Sequence, residues 1–389
     1  MDMTERPSVL LTLGRFPKAL ALARALNAAG FNVLVAEPFR WHLCRVSRAV
    51  SQSFVVCSPN VSTERYLSDL ANIVSEHRVN LVIPVSEESH FVCQLKRRLP
   101  DDVEVFAPQS NHYETLHHKL RFAEWAEQKK LTVPETHMLG SVRGTRLAAL
   151  RDTVIKPVAG CSGIGVRVHK AGEPLPTSTG GAQLIQALVS GRLVSTLSVV
   201  RNGQLLGSVM YQGNVFAGSV AICFDQITMP ESIHQWIGSL IHALEDYHGF
   251  LAFDFIIDQD NVPWAIECNP RLTSGIHFLD AAHLAKCLAR GDDPAAHAKI
   301  LSGRKQWFYS TLTEAYACLF KGRVKAFVHA LGQLITSRDV VWSWRDPLPF
   351  LLMTPLSLGI LWPAVREGIS LGEASQRDIA PHWHSSEAD

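Results

Sequence analysis

The residues of this chain best suited to chemistry lie in Leu251 to Gly275, LAFDFIIDQDNVPWAIECNPRLTSG, which the polar turn Asp258, Gln259, Asp260, Asn261 folds into a predicted β-hairpin. If Asp258 faces Pro263 across that turn, Asp254 lies directly opposite Glu267, and Asn269, two residues on, shares their face. Like charges at directly opposed positions, with Cβ atoms only ~5 Å apart, are destabilising, so something positive should sit between them. Two carboxylates and an amide oxygen are hard ligands of the kind Mg²⁺ accepts; that ion takes one or two carboxylates and fills its other positions with water and phosphate oxygens. The set therefore points to a metal–nucleotide site. The competing reading is a solvated hairpin edge, its acids turned to water and Arg271 an ordinary salt-bridge partner.

A second constellation is Val154 to Val168, VIKPVAGCSGIGVRV. An apolar strand delivers Lys156, Pro157 stiffens the exit, and the small-residue loop Gly160, Cys161, Ser162, Gly163, Ile164, Gly165 returns into a second strand. Such a loop lets backbone N–H groups approach phosphate oxygens. It is not a Walker loop, because there the lysine follows the last glycine and opens a helix. Taken alone, it could equally be a plain glycine hairpin.

These motifs need elements to hold them. From Val9 to Val35 the chain reads strand, turn at Gly14, helix, strand; it continues with strands at Phe54–Val56, Leu81–Val85 and Val103–Ala107 and helices at Thr63–His77 and Ser89–Arg98. Residues 1–110 are thus expected to be a doubly wound α/β domain. Its first turn, Leu13-Gly14-Arg15-Phe16, lacks the G-x-G-x-x-G of a dinucleotide site. Helices are predicted at Asn111–His118 and Leu120–Lys130. Residues 111–298 then read as an α+β domain of antiparallel strands, with the turn Asn202-Gly203 and helices at Gly181–Val189 and Pro230–His248. Residues 299–389 read as a helical C-terminal extension.

Composition narrows the partners. The 389 residues carry 37 Lys+Arg against 36 Asp+Glu, without the basic excess that phosphate-backbone binding demands, so no nucleic-acid partner is expected. The eight cysteines are scattered with no C-x-x-C pair, which fits a reduced, cytoplasmic setting. Membrane contact, if any, falls to residues 347–365, where prolines interrupt an uncharged run. The other reading of that run is a buried C-terminal cap packed through Trp342, Trp344 and Trp362.

In this order the motifs resemble the ATP-grasp superfamily over about residues 1–280. The resemblance rests on Lys119 in His118-Lys119-Leu120-Arg121-Phe122, on Lys156, and on Asp254 followed 13 residues later by Glu267-Cys268-Asn269-Pro270-Arg271. It implies an ATP-dependent carboxylate–amine ligase that activates its carboxylate as an acyl phosphate and releases ADP and phosphate; the alternatives are a carbamoyl-phosphate-synthase-like or carboxylase-like enzyme, or a non-catalytic ATP-binding regulatory module. It implies ATP with Mg²⁺ (or Mn²⁺), small-molecule carboxylate and amine substrates, and room for a homodimer. By the same resemblance Lys119 and Lys156 hold the phosphates, and Gly160, Ser162, Gly163 and Gly165 fold over them. The backbone of Gln186, Ala187, Leu188 and Val189 reads adenine. Asp254, Glu267 and Asn269 carry the metal. Arg271, with Lys156, is catalytic, donating to the developing phosphoryl or tetrahedral oxyanion. Ser274, Gly275 and His277 face the acceptor, although His277 also reads as a surface histidine. The chain departs from the family at Ala187 and Leu193, where acids are common, and at Ile164, for which Arg167 or Lys170 would substitute.

Overall fold

The computed structural model describes residues 6–158, 165–176, 182–218, 220–289, 297–369 and 371–380. Five parallel strands, β1 (Ser8–Leu11), β2 (Asn32–Glu37), β3 (Gln52–Val55), β4 (Val79–Ile83) and β5 (Glu104–Val105), form an N-terminal sheet in the order β3-β2-β1-β4-β5. Its central strands are apolar on both faces. Val9, Leu11, Val33, Val35 and Ile83 pack with helix Pro17–Ala28, while Leu10, Leu34 and Val82 pack with Tyr66, Leu67 and Leu70 of helix Thr63–Glu76. This is the doubly wound domain expected. The helix expected over Ser89–Arg98 is instead broken into Ser89–Val92 and a 3₁₀ turn Leu95–Arg98.

The first turn of this domain is closed to a dinucleotide. The N–H groups of Gly14 and Arg15 both donate to Glu37 Oε2, at 2.9 and 3.1 Å, and the Arg15 guanidinium is clamped between Glu37 and Asp378. The donors a pyrophosphate would need are already bound to a buried carboxylate.

Strands β6 (Thr136–Met138), β7 (Thr153–Pro157), β8 (Arg167–His169) and β9 (Gln183–Ala187) form a four-stranded antiparallel sheet in the order β6-β9-β7-β8. The predicted helix over Gly181–Val189 is therefore corrected: its described part holds the central strand β9. Gln183 to Ala187 are acceptable helix formers, but β6 and β7 pair with both edges of this segment, and Ile185 packs with Ala148 and Ile155. Tertiary pairing overrides local propensity here.

The largest sheet comprises β10 (Arg192–Arg201), β11 (Gln204–Ala217), β12 (Val220–Ile227), β13 (Gly249–Ile257), β14 (Pro263–Asn269), β15 (Arg304–Gln306) and β16 (Arg338–Asp339), ordered β14-β13-β10-β11-β12-β15-β16. One face, with Phe253 and Phe255, is covered by Ile233, Trp236 and Leu240 of helix Glu231–Leu244. The other, with Leu197, Tyr211 and Ala252, joins the core of the N-terminal domain. Because side chains alternate along a strand, Asp254 shares this second face with Ala252.

The β10–β11 turn has Asn202 and Gly203 at φ +48° and +75°, as an Asn-Gly hairpin requires. A Cβ at Gly203 would lie 2.1 Å from the Glu245 carbonyl oxygen. Gly203→Ala is expected to destabilise the fold by about 1–3 kcal/mol, read as a lowered urea midpoint with an unchanged slope.

The C-terminal extension is mostly helical, but it also supplies β15 and β16 to the large sheet. No described helix is long and apolar enough to cross a membrane. The buried-cap expectation fails at two of its three tryptophans: Trp344 is 86% and Trp362 71% exposed. The seven described cysteines are all free.

Candidate active site

The turn of the β13–β14 hairpin is fixed by Asp258. Its Oδ1 accepts from the N–H groups of Asp260 and Val262, and its Oδ2 from Trp264 Nε1 at 2.8 Å. The expected register is one residue off at this end, since Ile257, rather than Asp258, faces Pro263. A β-bulge at Ile266 takes up the difference, so Asp254 does face Glu267 and Ala252 faces Asn269. The bulge also frees the Ile266 carbonyl, which accepts a hydrogen bond from Lys156 Nζ at 3.0 Å. A local irregularity in one sheet thus anchors the lysine of another.

Lys156 lies on β7 with its ammonium buried. Its second partner is Gln186 Oε1 at 3.0 Å, and Gln186 Nε2 in turn donates to Thr136 Oγ1 at 2.9 Å. Burial pulls the lysine down to about 8, with Lys119 acting in the same direction and the carboxylates of Glu267 and Asp254 opposing. Lys119, the first residue of helix Lys119–Gln128, reaches to 3.9 Å from Glu267 Oε1. The preceding His118 caps that helix by accepting from Arg121 N–H.

Asp254 receives a 2.6 Å hydrogen bond from Ser195 Oγ, yet its carboxyl is pushed up to about 6, first by burial and then by the facing Glu267. That is the signature of negative charge short of compensation. Among the described residues no group of three or more His, Cys, Asp or Glu side chains assembles into a metal cluster. Two carboxylates with the Asn269 amide nonetheless fit an ion that completes its shell with water and phosphate oxygens.

Asn269 Oδ1 accepts from Arg271 at 3.0 Å, and Arg271 forms a 2.6 Å ion pair with Glu87. Glu87 also bonds His117 Nε2 at 2.9 Å, and the His117 ring stacks on Tyr113. Burial works against the charged Glu87, but Arg271 and His117 outweigh it and hold its carboxyl well below the usual range. Lys18, from the same domain, donates to Ser86 Oγ and to the Leu272 carbonyl. The N-terminal domain therefore grips the end of β14 through two charged side chains.

Sequence reasoning missed Glu87, His117, Ser195 and Lys18. One signal for the first was available: Glu87 follows β4, beside β1, where the strand order reverses, and open α/β sheets bind ligands outside the carboxyl ends of such strands.

Other expected residues fare differently. In the segment expected to read adenine, Ala187 N–H bonds the Glu135 carbonyl and Leu188 N–H that of Asp152, so these two donors are engaged within the protein. Gly165 has φ +75° and stands against Pro157; Gly160, Ser162 and Gly163 lie outside the described residues. Lys170 is paired with Asp152 and Arg167 with Gln183. His277 is not a surface histidine. It is 8% exposed, its Nε2 has no hydrogen-bond partner, and burial, then Lys305 and Lys18, push it down to about 3. It lines a cavity of about 690 Å³ together with Arg24, Lys305, Arg338 and Trp342.

Residues 116–275 match the ATP-grasp domain family. No curated protein matches the sequence significantly. Among solved structures, the biotin carboxylase domain dimer of Hydrogenobacter thermophilus 2-oxoglutarate carboxylase, in complex with MgADP, ADP and bicarbonate, is 15% identical with a TM-score of 0.58, over 76% of this chain and 73% of the other. N5-carboxyaminoimidazole synthetase from Staphylococcus aureus is 11% identical (TM-score 0.57; 76% and 80% covered). L-amino acid ligase from Bacillus licheniformis is 17% identical (TM-score 0.53; 72% and 70% covered). At these identities the likeness concerns the fold.

Proposed function

We propose that this chain, whose residues 116–275 match the ATP-grasp domain family, uses MgATP to activate a small-molecule carboxylate as an acyl phosphate and joins it to an amine. The observation that carries this reading is the Asp254–Glu267 face-off, with Lys119 and Lys156 beside it. Mere nucleotide storage would not require two directly opposed, half-buried acids and an arginine at one strand end.

In this reading Lys119 and Lys156 hold the phosphates as point charges, and Val189 N–H reads the adenine edge. Asp254, Glu267 and Asn269 would hold Mg²⁺, which neutralises charge on the phosphate oxygens. A substrate carboxylate oxygen attacks the γ-phosphorus while the bond to the β–γ bridging oxygen breaks, and ADP leaves. The amine then attacks the acyl carbon; phosphate departs with the C–O electron pair and the nitrogen loses a proton. Arg271, held by Glu87 and Asn269, donates to the transferring phosphoryl and then to the tetrahedral oxyanion.

The cavity beside His277 is the candidate acceptor pocket, of a size usual for small molecules. Lys305 and Arg338 are paired across β15 and β16, and β15 lies four strands from β13, roughly 19 Å at usual strand spacing. They are too far from Asp254 to touch the reacting carboxylate, and would suit a remote anionic group of the substrate.

The test is ADP release across a panel of carboxylic acids, amino acids and bicarbonate, each with an amine. Bicarbonate belongs in the panel because two of the structural neighbours are a biotin carboxylase and an N5-carboxyaminoimidazole synthetase. Products AMP and pyrophosphate would refute the acyl-phosphate route.

A pH dependence follows from Lys156. In the ligand-free protein its charge is lost as pH rises through about 8, whereas bound phosphates favour the charged form. ATP affinity is therefore expected to fall above that pH, with proton uptake on binding. Calorimetry in buffers of different ionisation enthalpy reads both effects, and Lys156→Gln should abolish the uptake.

A further inference from the structure

We propose that the helical hairpin Phe308–Phe320 and Val324–Thr336 docks the protein on an anionic lipid surface. Its inner side is accounted for, since Ala315 and Ala330 are buried with Val215, Ile222 and Cys223 of the large sheet. Its outer side is not. Val324, Val328, Leu331 and Ile335, spaced four, three and four residues apart, form one apolar stripe along the second helix, and all four are exposed, Ile335 by 87%. Leu319 and Phe320 are exposed at the end of the first helix, Phe320 also by 87%. Single exposed apolar residues need no explanation, but a continuous stripe marks an interaction surface.

Charge selects the occupant. The connection reads Phe320-Lys321-Gly322-Arg323-Val324-Lys325, and Lys321, Arg323 and Lys325 are exposed, with no ion pair among the described residues. Glu314 is the only acid between Phe308 and Thr336. Two copies meeting through this face would bring their cations together, whereas an anionic leaflet would receive both the cations and the apolar stripe. Each helix has 13 residues, roughly 20 Å against the ~30 Å of a bilayer core, so the hairpin lies in the interface and does not span.

The test is flotation of the full-length protein with phosphatidylcholine vesicles and with vesicles also containing phosphatidylglycerol. Binding is expected on the anionic vesicles only, and added salt should release it. Lys321→Glu/Arg323→Glu/Lys325→Glu should weaken it by about a hundredfold or more, since each basic residue near such a surface contributes about fivefold. Phe320→Ser/Ile335→Ser should weaken it by about tenfold or more through lost apolar burial. All these positions are exposed, so the thermal midpoint should hold, and the salt dependence of the unaltered protein needs no variant. Absence of vesicle binding, equal binding to neutral vesicles, or a solution dimer that Phe320→Ser/Ile335→Ser dissociates would each overturn the proposal.

Discussion

Glu267→Gln is expected to abolish carboxylate-dependent ADP release, by about a thousandfold or more, while leaving the ligand-free protein as stable as before or more so. The two effects have one cause. Glu267 faces Asp254 directly, and together with burial it raises the Asp254 carboxyl. Replacing one of two opposed carboxylates by an isosteric amide removes a repulsion from the free protein. In the proposed reacting complex the same change would remove a hard anionic ligand of Mg²⁺. A bound divalent ion is worth several kcal/mol of transition-state stabilisation, and each 1.36 kcal/mol is tenfold in rate.

A residue kept for folding would behave the other way, since its loss would lower stability and affect rate only through the folded fraction. Thermal unfolding with and without Mg²⁺ separates the two cases. The unaltered protein should gain stability when the ion is added with nucleotide, by linkage, and the variant should gain little. Retained turnover, or a clear fall in the midpoint of the ligand-free variant, would sink the metal assignment. Lys119 adds a second readout: it stands 3.9 Å from Glu267, so Lys119→Met should weaken nucleotide binding without mimicking the stabilisation.

The parts of this site legible in the sequence were those set by short-range rules. Opposition of Asp254 and Glu267 follows from strand parity around one turn, and Lys156 from its place at a strand end before a glycine loop, whereas Lys119 is implied only by the resemblance to the ATP-grasp superfamily. The bulge at Ile266 was not legible, because an apolar residue among apolar residues carries no mark of an irregular ladder; the face-off was right although the assumed register at the turn was not. Strand β9 was misread as a helix because its pairing partners in β6 and β7 come from 26 to 50 residues earlier in the chain. Glu87 lies 184 residues from Arg271, and no local pattern announces a pair of that separation. Trp344 and Trp362 illustrate a further limit. Large aromatics were expected to be inside, but composition does not say which apolar surface a protein keeps for a partner.

Glu87→Gln should be among the most destabilising conservative changes in the chain, at about 3–5 kcal/mol. Glu87 is 2% exposed in its side chain and Arg271 11%, and their ion pair at 2.6 Å joins the N-terminal domain to the end of β14. Removing the negative partner leaves a guanidinium in a poorly solvated place, and the amide nitrogen would face the donors of Arg271 and His117. The pH dependence has a definite sign. The Glu87 carboxyl is held below its ordinary value despite burial, by Arg271 and His117, so its contribution is present above the unfolded-state pKa and is lost only as pH falls through the lower folded value. The stability gap between the unaltered protein and Glu87→Gln should therefore persist through mildly acidic pH. Arg271→Met alone should also destabilise, by leaving the Glu87 carboxylate buried without its cation, with the His117 hydrogen bond beside it. Combining Glu87→Leu with Arg271→Met should cost much less than the two separate losses added, because neither charge is then stranded. Activity should not follow stability in that double variant, since Arg271, the proposed donor to the phosphoryl group, would be gone. Denaturant unfolding of the four proteins, with ADP release measured alongside, closes the cycle. Additive stability losses would mean that Glu87 and Arg271 act separately, and recovered turnover in the double variant would remove Arg271 from the chemistry.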